Sequence, residues 1–169
     1  MLENKKGTVQ RTPWHQDQPY YNIEGKQNVS FWIPVDPFPL EWTLELVAGS
    51  KKGTWYMPRI FLENKAKWFP EGTLSEIPDI DSNPQKYPVL KWLLESGDAV
   101  DCNMLTFHCG EGTGSLHRVF SISMLGDYII HTPRRRETSP DSMGLSDHLP
   151  TVKPMDHELL PLAWPFSQV

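Results

Sequence analysis

Cysteine, long apolar runs and an excess of positive charge are all scarce or missing in this 169-residue sequence. Two cysteines, Cys102 and Cys109, are too few for a disulfide scaffold, so both are expected to be free thiols in a reducing compartment. No apolar stretch approaches the roughly 18 residues that a membrane span needs. The first ten residues also lack the apolar segment of a signal peptide. We therefore expect a cytoplasmic protein without a membrane segment.

The net charge of −5 argues against a nucleic-acid partner, because phosphate binding needs clustered lysine and arginine. A small organic molecule remains open as the substrate. The sequence is instead rich in turn-forming and aromatic residues, with 16 Pro, 11 Gly, 7 Trp, 5 Tyr and 7 Phe. This composition favours a mainly β fold. The length suits a single domain over residues 1–169.

Alternating or β-rich segments predict strands at residues 28–36, 42–48, 98–108 and 116–125. Residues 54–96 contain five prolines and are predicted to be largely irregular, as in a lid or binding loop. Within KYPVLKWLLESG, residues 86–97, we expect a helical turn or two that ends at Gly97. Residues 131–169 are polar and proline-rich and predict a tail that wraps around a core at 12–130.

Three residues form a candidate metal site. In an extended segment, residues i and i+2 point to the same face, so His15 and Asp17 can direct an imidazole and a carboxylate at one point. His108, near the end of a predicted strand, supplies a second imidazole. Two histidines and one carboxylate on one face of a metal leave positions open, as Fe(II) requires for an oxoacid and O2.

Arg118 lies ten residues after His108, on the strand that returns across a glycine-rich turn. Hairpin geometry can place both side chains in one cavity. The planar guanidinium fork binds a carboxylate at two points, which suits a dicarboxylate. The alternative is an ion pair with a structural aspartate or glutamate.

Together these residues resemble the phytanoyl-CoA dioxygenase family of 2-oxoglutarate oxygenases. The family motifs occur in order as His15-Gln16-Asp17 followed by Tyr20 and Tyr21, the strand at 31–36, the turn at 48–53, Gly97-Asp98, His108-Cys109-Gly110, Arg118 and Gly126-Asp127. The resemblance covers roughly residues 12–130. The turn departs from the family pattern, with Ala48 in place of proline and Lys51 in place of histidine.

The resemblance implies a double-stranded β-helix, the jelly roll also found in cupins. It implies Fe(II) bound by His15, Asp17 and His108, and 2-oxoglutarate bound by Arg118. The implied reaction consumes O2 and gives a hydroxylated small organic substrate, succinate and CO2. Family halogenases carry a small residue in place of the carboxylate, so the presence of Asp17 favours hydroxylation.

Only fourteen residues precede His15, whereas the family has a long segment with early strands and helices there. We therefore expect that these elements are absent and that the chain associates, as a homodimer, through an open edge or face. The alternative is a chain that closes its own sheet with the tail, residues 132–169.

Two other functions remain open. The chain could be an inactive jelly roll with a binding or structural role, or a cupin-like metalloenzyme that does not use 2-oxoglutarate. Arg118 favours the oxoacid, and the substrate is expected to be set by variable loops such as 54–96.

The remaining candidates have plainer interpretations. His117 should point away from the face of Arg118 and is expected to have no functional role. Trp14 should face away from the metal, and Tyr20, Tyr21 and Trp32 line the cofactor pocket or pack in the core. Surface positions are expected for three histidines and an arginine run, namely His131, His148, His157 and Arg134-Arg135-Arg136.

Overall fold

The structure, a computed structural model, describes residues 2–3, 11–61, 69–112, 116–132, 155 and 160–163. Within these ranges the regular elements are β strands, apart from the short 3-10 helix Gln18–Tyr20. None of the described helical structure is long or apolar enough to cross a membrane. The mainly β class predicted from composition is confirmed. Predictions for Arg134-Arg135-Arg136, His148 and His157 lie outside the described residues.

Nine strands occur in the described ranges. They are β1 Leu2–Glu3, β2 Ile23–Glu24, β3 Asn28–Pro34, β4 Leu44–Val47, β5 Val89–Leu90, β6 Val100–Cys102, β7 His108–Gly110, β8 Arg118–Leu125 and β9 Ile130–His131. A four-stranded sheet has the order β1-β8-β3-β6, and a three-stranded sheet has the order β5-β4-β7. A small ribbon pairs β2 with β9. Every pairing within these sheets is antiparallel.

The two longest strands, β3 and β8, form the centre of the larger sheet. Their register runs from Asn28 opposite Leu125 to Pro34 opposite Val119. Strand β8 alternates as the sequence predicted. Its smaller residues, Val119, Ser121 and Ser123, line a cavity. Its larger residues, Arg118, Phe120, Ile122 and Met124, are exposed on the other face of the sheet.

The two sheets pack together through an apolar cluster. It combines residues from β4, β6 and β8 with two residues of the connecting loops, and its members are Phe38, Leu44, Leu46, Leu94, Val100 and Val119. These side chains are each less than a tenth exposed, so their burial supplies much of the hydrophobic stabilisation between the sheets. Trp32 and Trp42 pack against the same cluster from the cavity side.

Two secondary-structure predictions were wrong. The segment 98–108 is two strands, β6 and β7, because a turn intervenes in which the backbone N–H of Thr106 donates to the carbonyl of Asn103. The Asn103 side chain stabilises that turn by accepting a hydrogen bond from the Leu105 N–H. The helical turn expected at 86–97 is replaced by β5, whose residues pair with β4. Gly97 does adopt a positive φ of 96°, as expected of a residue in a turn.

His131 was expected on the surface, and this was also wrong. It pairs with Ile23 across the β2–β9 ribbon and is fully buried. Its Nε2 lies 2.9 Å from Nδ2 of the buried Asn22, so the imidazole has a polar partner within the core.

Candidate metal centre

His15 and His108 are brought together by their own main chains. The N–H of each residue donates to the carbonyl of the other, with both N–O distances 3.0 Å. The two residues thus form an antiparallel bridge outside the named pairings. Directly opposed residues carry their side chains on the same face of a sheet. The two imidazole rings accordingly lie with centroids 4.2 Å apart.

Each imidazole is oriented by a backbone carbonyl two residues earlier in the chain. Nδ1 of His15 lies 2.9 Å from the carbonyl oxygen of Pro13, and Nδ1 of His108 lies 3.0 Å from that of Thr106. A carbonyl can only accept, so Nδ1 of each ring carries the proton and donates. The Nε2 lone pair of each ring is then available to a metal, as in metal sites whose second imidazole nitrogen donates to a backbone carbonyl.

Asp17 completes the group of donors. Its backbone N–H donates to the carbonyl of Met104, which fixes the main chain beside the turn between β6 and β7. Its Oδ1 lies 3.3 Å from Nε2 of His108 and 3.8 Å from Nε2 of His15. One ligand atom from each of the three side chains lies within 4.8 Å of the other two. The structure therefore brings together the three residues that the sequence predicted as ligands.

The charges of the site are set by burial and by the proximity of the three groups. Burial and the neighbouring His108 lower the pKa of His15 to about 3. Burial would raise the pKa of Asp17, but the charge and hydrogen bond of His108 outweigh it and lower that pKa to about 2. Burial works against a charged His108 as well, yet Asp17 raises its pKa. An ionised carboxylate facing two imidazole nitrogens is an environment in which a divalent cation replaces a shared proton.

Asp17 differs from the two histidines because a side chain helps to orient it. The hydroxyl of Ser30, on β3, donates to Oδ2 of Asp17 at 3.2 Å. Ser30 also lies 3.5 Å, oxygen to oxygen, from Ser123 on β8. Ser30 was not identified from the sequence, since its role depends on β3 passing beside the His15–Asp17 segment.

We expect Ser30→Ala to weaken Fe(II) binding about 10-fold, because partners that orient a metal ligand typically contribute about that much to affinity. Anaerobic titration calorimetry with Fe(II) measures the effect. Ser123→Ala is the matched control, since it removes a hydroxyl on the same side of the cavity and leaves the Ser30–Asp17 hydrogen bond in place. Equal affinities for the two variants would contradict the role of Ser30.

The donors lie in the wall of a cavity of about 580 Å³ between the two sheets. Aromatic and other apolar side chains make up much of the remaining wall, and these are Tyr20, Tyr21, Phe31, Trp32, Phe38, Trp42, Leu44, Phe61 and Val119. Small polar residues complete it, including Thr12, Ser30, Ser121 and Ser123. The volume lies in the range of small-molecule sites in proteins. Tyr20, Tyr21 and Trp32 thus line the pocket, one of the two placements expected for them.

Arg118 is placed on the outer face of β8. Its Nε and Nη2 donate to the two carboxylate oxygens of Asp36, at 3.0 and 2.7 Å. The Arg118 side chain is about half exposed and does not line the cavity. The guanidinium therefore binds a carboxylate at two points, as expected of its planar fork, but this carboxylate is the side chain of Asp36. The assignment of Arg118 to 2-oxoglutarate stays a prediction.

His117, just before β8, lines the cavity, although it was expected to have no functional role. Its Nδ1 lies 3.2 Å from the carbonyl oxygen of Pro37. Its ring packs against Phe38 and Trp42, with centroids 4.9 and 5.2 Å away. The described residues of the cavity wall include three histidines and no lysine or arginine. Two of these histidines, His15 and His108, belong to the candidate metal site, and His117 is the third.

Gln16, between the two N-terminal ligands, points away from the metal donors into a buried polar network. Its Nε2 donates to the carbonyls of Thr54 and Leu105, at 3.0 and 2.9 Å. Its Oε1 accepts from the N–H of Tyr56 at 3.0 Å. The side chain is 2% exposed and satisfies three backbone groups from two distant segments. It thereby anchors the ligand-bearing segment to the loop at 54–56.

Comparison with known proteins gives both a family and a fold. The family model described as "Phytanoyl-CoA dioxygenase (PhyH)" matches residues 1–118 of the chain. No curated protein matches the chain.

Solved structures match most of the chain at low identity. The carbocyclase SnoK from nogalamycin biosynthesis, described as non-heme and alpha ketoglutarate dependent, has 16% identity and a TM-score of 0.65, over 95% of this chain and 58% of its own. The epimerase SnoN, described in the same terms, has 18% identity and a TM-score of 0.60, over 89% and 53%. EvdO2 from Micromonospora carbonacea var. aurantiaca, complexed with 2-oxoglutarate, has 19% identity and a TM-score of 0.55, over 79% and 52%.

This chain thus spans little more than half the length of the solved structures that it matches. At such identities the likeness establishes the fold, which is the jelly roll predicted from the sequence.

Proposed function

Because the chain belongs to the phytanoyl-CoA dioxygenase family, we propose that it binds Fe(II) and 2-oxoglutarate and uses O2 to hydroxylate a small organic substrate. One observation carries the proposal, namely that His15, Asp17 and His108 direct one ligand atom each at a common point. The solved structures with this fold include one with 2-oxoglutarate and one with Fe3+ and alpha ketoglutarate, which supports the same pair of cofactors here.

The chemistry of the donor set fits iron. Two imidazole nitrogens and one carboxylate oxygen form the ligand combination of non-haem Fe(II) oxygenases, which leaves metal positions open. A structural zinc site would instead be closed by four protein ligands. The side chains of His15, Asp17 and His108 supply the two nitrogens and the one oxygen that the iron site requires.

When bound, iron and the oxoacid supply the oxidation of a C–H bond by O2, coupled to conversion of 2-oxoglutarate to succinate and CO2. The chain itself positions the metal ligands and the substrate, and it excludes water from the site. His15 and His108 present Nε2 because their Nδ1 protons are held by carbonyls, and Asp17 presents an ionised oxygen. The aromatic wall of the cavity holds the substrate near the metal and limits access of water to it.

Hydroxylation is proposed ahead of the other outcomes that such enzymes reach. The relatives described as a carbocyclase and an epimerase depend on the same oxoacid. Asp17 occupies the carboxylate position, which argues against halogenation. The competing function, a metalloenzyme that does not use 2-oxoglutarate, differs in one measurable respect, because it would have no succinate product.

The proposal is tested with the full chain, Fe(II), 2-oxoglutarate and O2, by measuring succinate. We expect iron-dependent succinate formation even without an added substrate, at a slow uncoupled rate, and none when iron is removed by a chelator. Binding of Fe(II) without any conversion of 2-oxoglutarate would contradict the proposal and favour a metalloenzyme of another class. Failure to bind iron would favour a binding or structural jelly roll.

The group that binds the far carboxylate of 2-oxoglutarate is tested separately. Arg118→Lys keeps the charge but loses the fork, and it weakens oxoacid binding if Arg118 leaves Asp36 to act as the anchor. Because His117 already lines the cavity, we expect His117→Ala to weaken binding about 10-fold, the usual contribution of a hydrogen bond to a charged group. In that complex both imidazole nitrogens would donate, Nδ1 to the Pro37 carbonyl and Nε2 to the carboxylate. Titration calorimetry with 2-oxoglutarate under anaerobic conditions measures both. A loss confined to Arg118→Lys would restore the assignment made from the sequence.

A further inference from the structure

The rings of two aromatic side chains, Tyr20 and Phe61, meet the imidazole of the metal donor His15. The ring of Phe61 lies 4.6 Å from that of His15 and 6.0 Å from that of Tyr20, measured between centroids. The ring of Tyr20 lies 6.2 Å from that of His15, nearly perpendicular to it. These distances are typical of aromatic pairs that attract each other. We call Tyr20, Phe61 and His15 the aromatic corner.

The aromatic corner is held together by a hydroxyl that binds the main chain of a distant loop. The Tyr20 hydroxyl donates to the carbonyl of Arg59 at 2.9 Å and accepts from the N–H of the same residue at 2.8 Å. The guanidinium of Arg59 in turn pairs with Glu71 and Glu76. Two hydrogen bonds from one side chain to the main chain of one residue fix the backbone just before Phe61 and so fix where its ring can lie.

The exposure of the rings shows which part of the corner is open. Tyr20 is 7% exposed, whereas Phe61 is 37% exposed although it lies against a buried histidine. Phe61, Tyr20 and His15 all line the 580 Å³ cavity. A large apolar ring that stays partly accessible in a cavity wall is a usual contact for a flat apolar ligand.

We propose that the aromatic corner binds a ring of the organic substrate, with Phe61 as a specificity-determining residue and Tyr20 as a positioning residue. This inference rests on the proposed function, since it places the substrate ring beside the metal ligand His15. The corner selects a flat ring, because the contacts that it offers are the faces and edges of aromatic side chains. A linear or anionic substrate gains little from these contacts, since aromatic faces and the neighbouring Asp17 both disfavour negative charge.

Indole is the probe for this site, and its binding to the full chain is measured by titration calorimetry, both without metal and with Fe(II) and 2-oxoglutarate under anaerobic conditions. We expect the wild-type chain to bind indole in both states. Phe61→Ala should weaken binding about 10-fold, as expected from loss of one aromatic contact and the area it buries. Phe120→Ala is the matched control, because Phe120 is similarly exposed, at 48%, but lies on the outer face of β8.

Tyr20→Phe keeps the ring and removes only the hydroxyl that holds Arg59. We expect it to weaken indole binding about 5-fold, the usual contribution of a net hydrogen bond or two, and to leave Fe(II) affinity unchanged. Fe(II) affinity is a readout that a general loss of folding would lower. Indole affinity equal to that of the wild type would overturn the positioning role.

The role of Phe61 is overturned if the wild-type chain does not bind indole, or if Phe61→Ala and Phe120→Ala bind it equally. These outcomes are separate from a failure of the proposed function. A chain that binds indole at Phe61 but forms no succinate refutes the oxygenase and keeps the ring-binding site. Succinate formation without indole binding refutes the ring-binding site and keeps the oxygenase.

Discussion

Replacement of Asp17 by alanine is expected to lower Fe(II) affinity at least about 100-fold and to abolish iron-dependent succinate formation. Groups that only orient a metal ligand contribute about 10- to 100-fold to affinity, so loss of the ligand itself should exceed that range. Asp17 is also the anionic member of the site, with a pKa of about 2, whereas His15 is neutral. Without it, two imidazoles would have to hold a divalent cation with no compensating charge.

The measurement is anaerobic calorimetry with Fe(II), followed by succinate analysis after addition of 2-oxoglutarate and O2. Asp101→Ala is the matched control, since Asp101 is an exposed carboxylate on β6, and it should leave both quantities unchanged. Melting curves of the two variants show whether the fold is retained. Iron-dependent succinate formation at the wild-type rate in a folded Asp17→Ala variant would refute the assignment of Asp17 as a ligand.

Replacement of Gln16 by methionine is expected to destabilise the chain by about 3 kcal/mol or more, because three largely buried backbone groups lose their partner at once. The methionine side chain has a similar volume and is equally flexible, so the change removes hydrogen bonds with little effect on packing. For a chain of this size, that loss corresponds to a fall of about 10 °C in the melting temperature.

Thermal unfolding followed by circular dichroism measures this effect. Gln85→Met is the control, because Gln85 is exposed and the same substitution there should have little influence on stability. If both variants melt at the same temperature, the hydrogen bonds of Gln16 to Thr54, Leu105 and Tyr56 do not stabilise the fold.

The proximity of His15, Asp17 and His108 could be predicted from the sequence, by a local rule for the first two and by the family motifs for the third. A spacing of i and i+2 places His15 and Asp17 on one face of an extended segment, and the family motifs locate His108. The main strands β3, β4 and β8 were also evident, since each has alternating or β-branched residues over its length. Their predicted bounds differ from those observed by no more than two residues at either end.

Periodicity could not show which face of β8 points inward. It correctly grouped Arg118 with Phe120 and Ile122, but these larger residues lie outside and the serines line the cavity. The usual rule, in which apolar residues point inward, would favour the opposite orientation. Which face is internal depends on the partner sheet, and so the sequence could not assign His117 to the cavity.

Contacts between distant segments were likewise beyond the sequence. The Tyr20 hydroxyl and the Arg59 backbone are 39 residues apart, and the pairing of His131 with Ile23 spans more than a hundred residues. Short strands such as β5 form because a neighbour offers hydrogen bonds, and the local composition of 86–97 gave the wrong prediction there. Tertiary pairing overrides local preference in such segments.

The orientation of the two histidine rings has a consequence for how such a chain can change over evolutionary time. The partners of Nδ1 in His15 and His108 are peptide carbonyls, which every residue type provides. Substitutions elsewhere in the cavity wall, at Phe61 or Trp42 for example, leave those partners in place. Sequences that differ only in the cavity wall should therefore keep both imidazoles aligned. The orientation of Asp17 depends instead on one side chain, so replacement of Ser30 should be tolerated less well than replacement of Pro13 or Thr106, which contribute only a carbonyl.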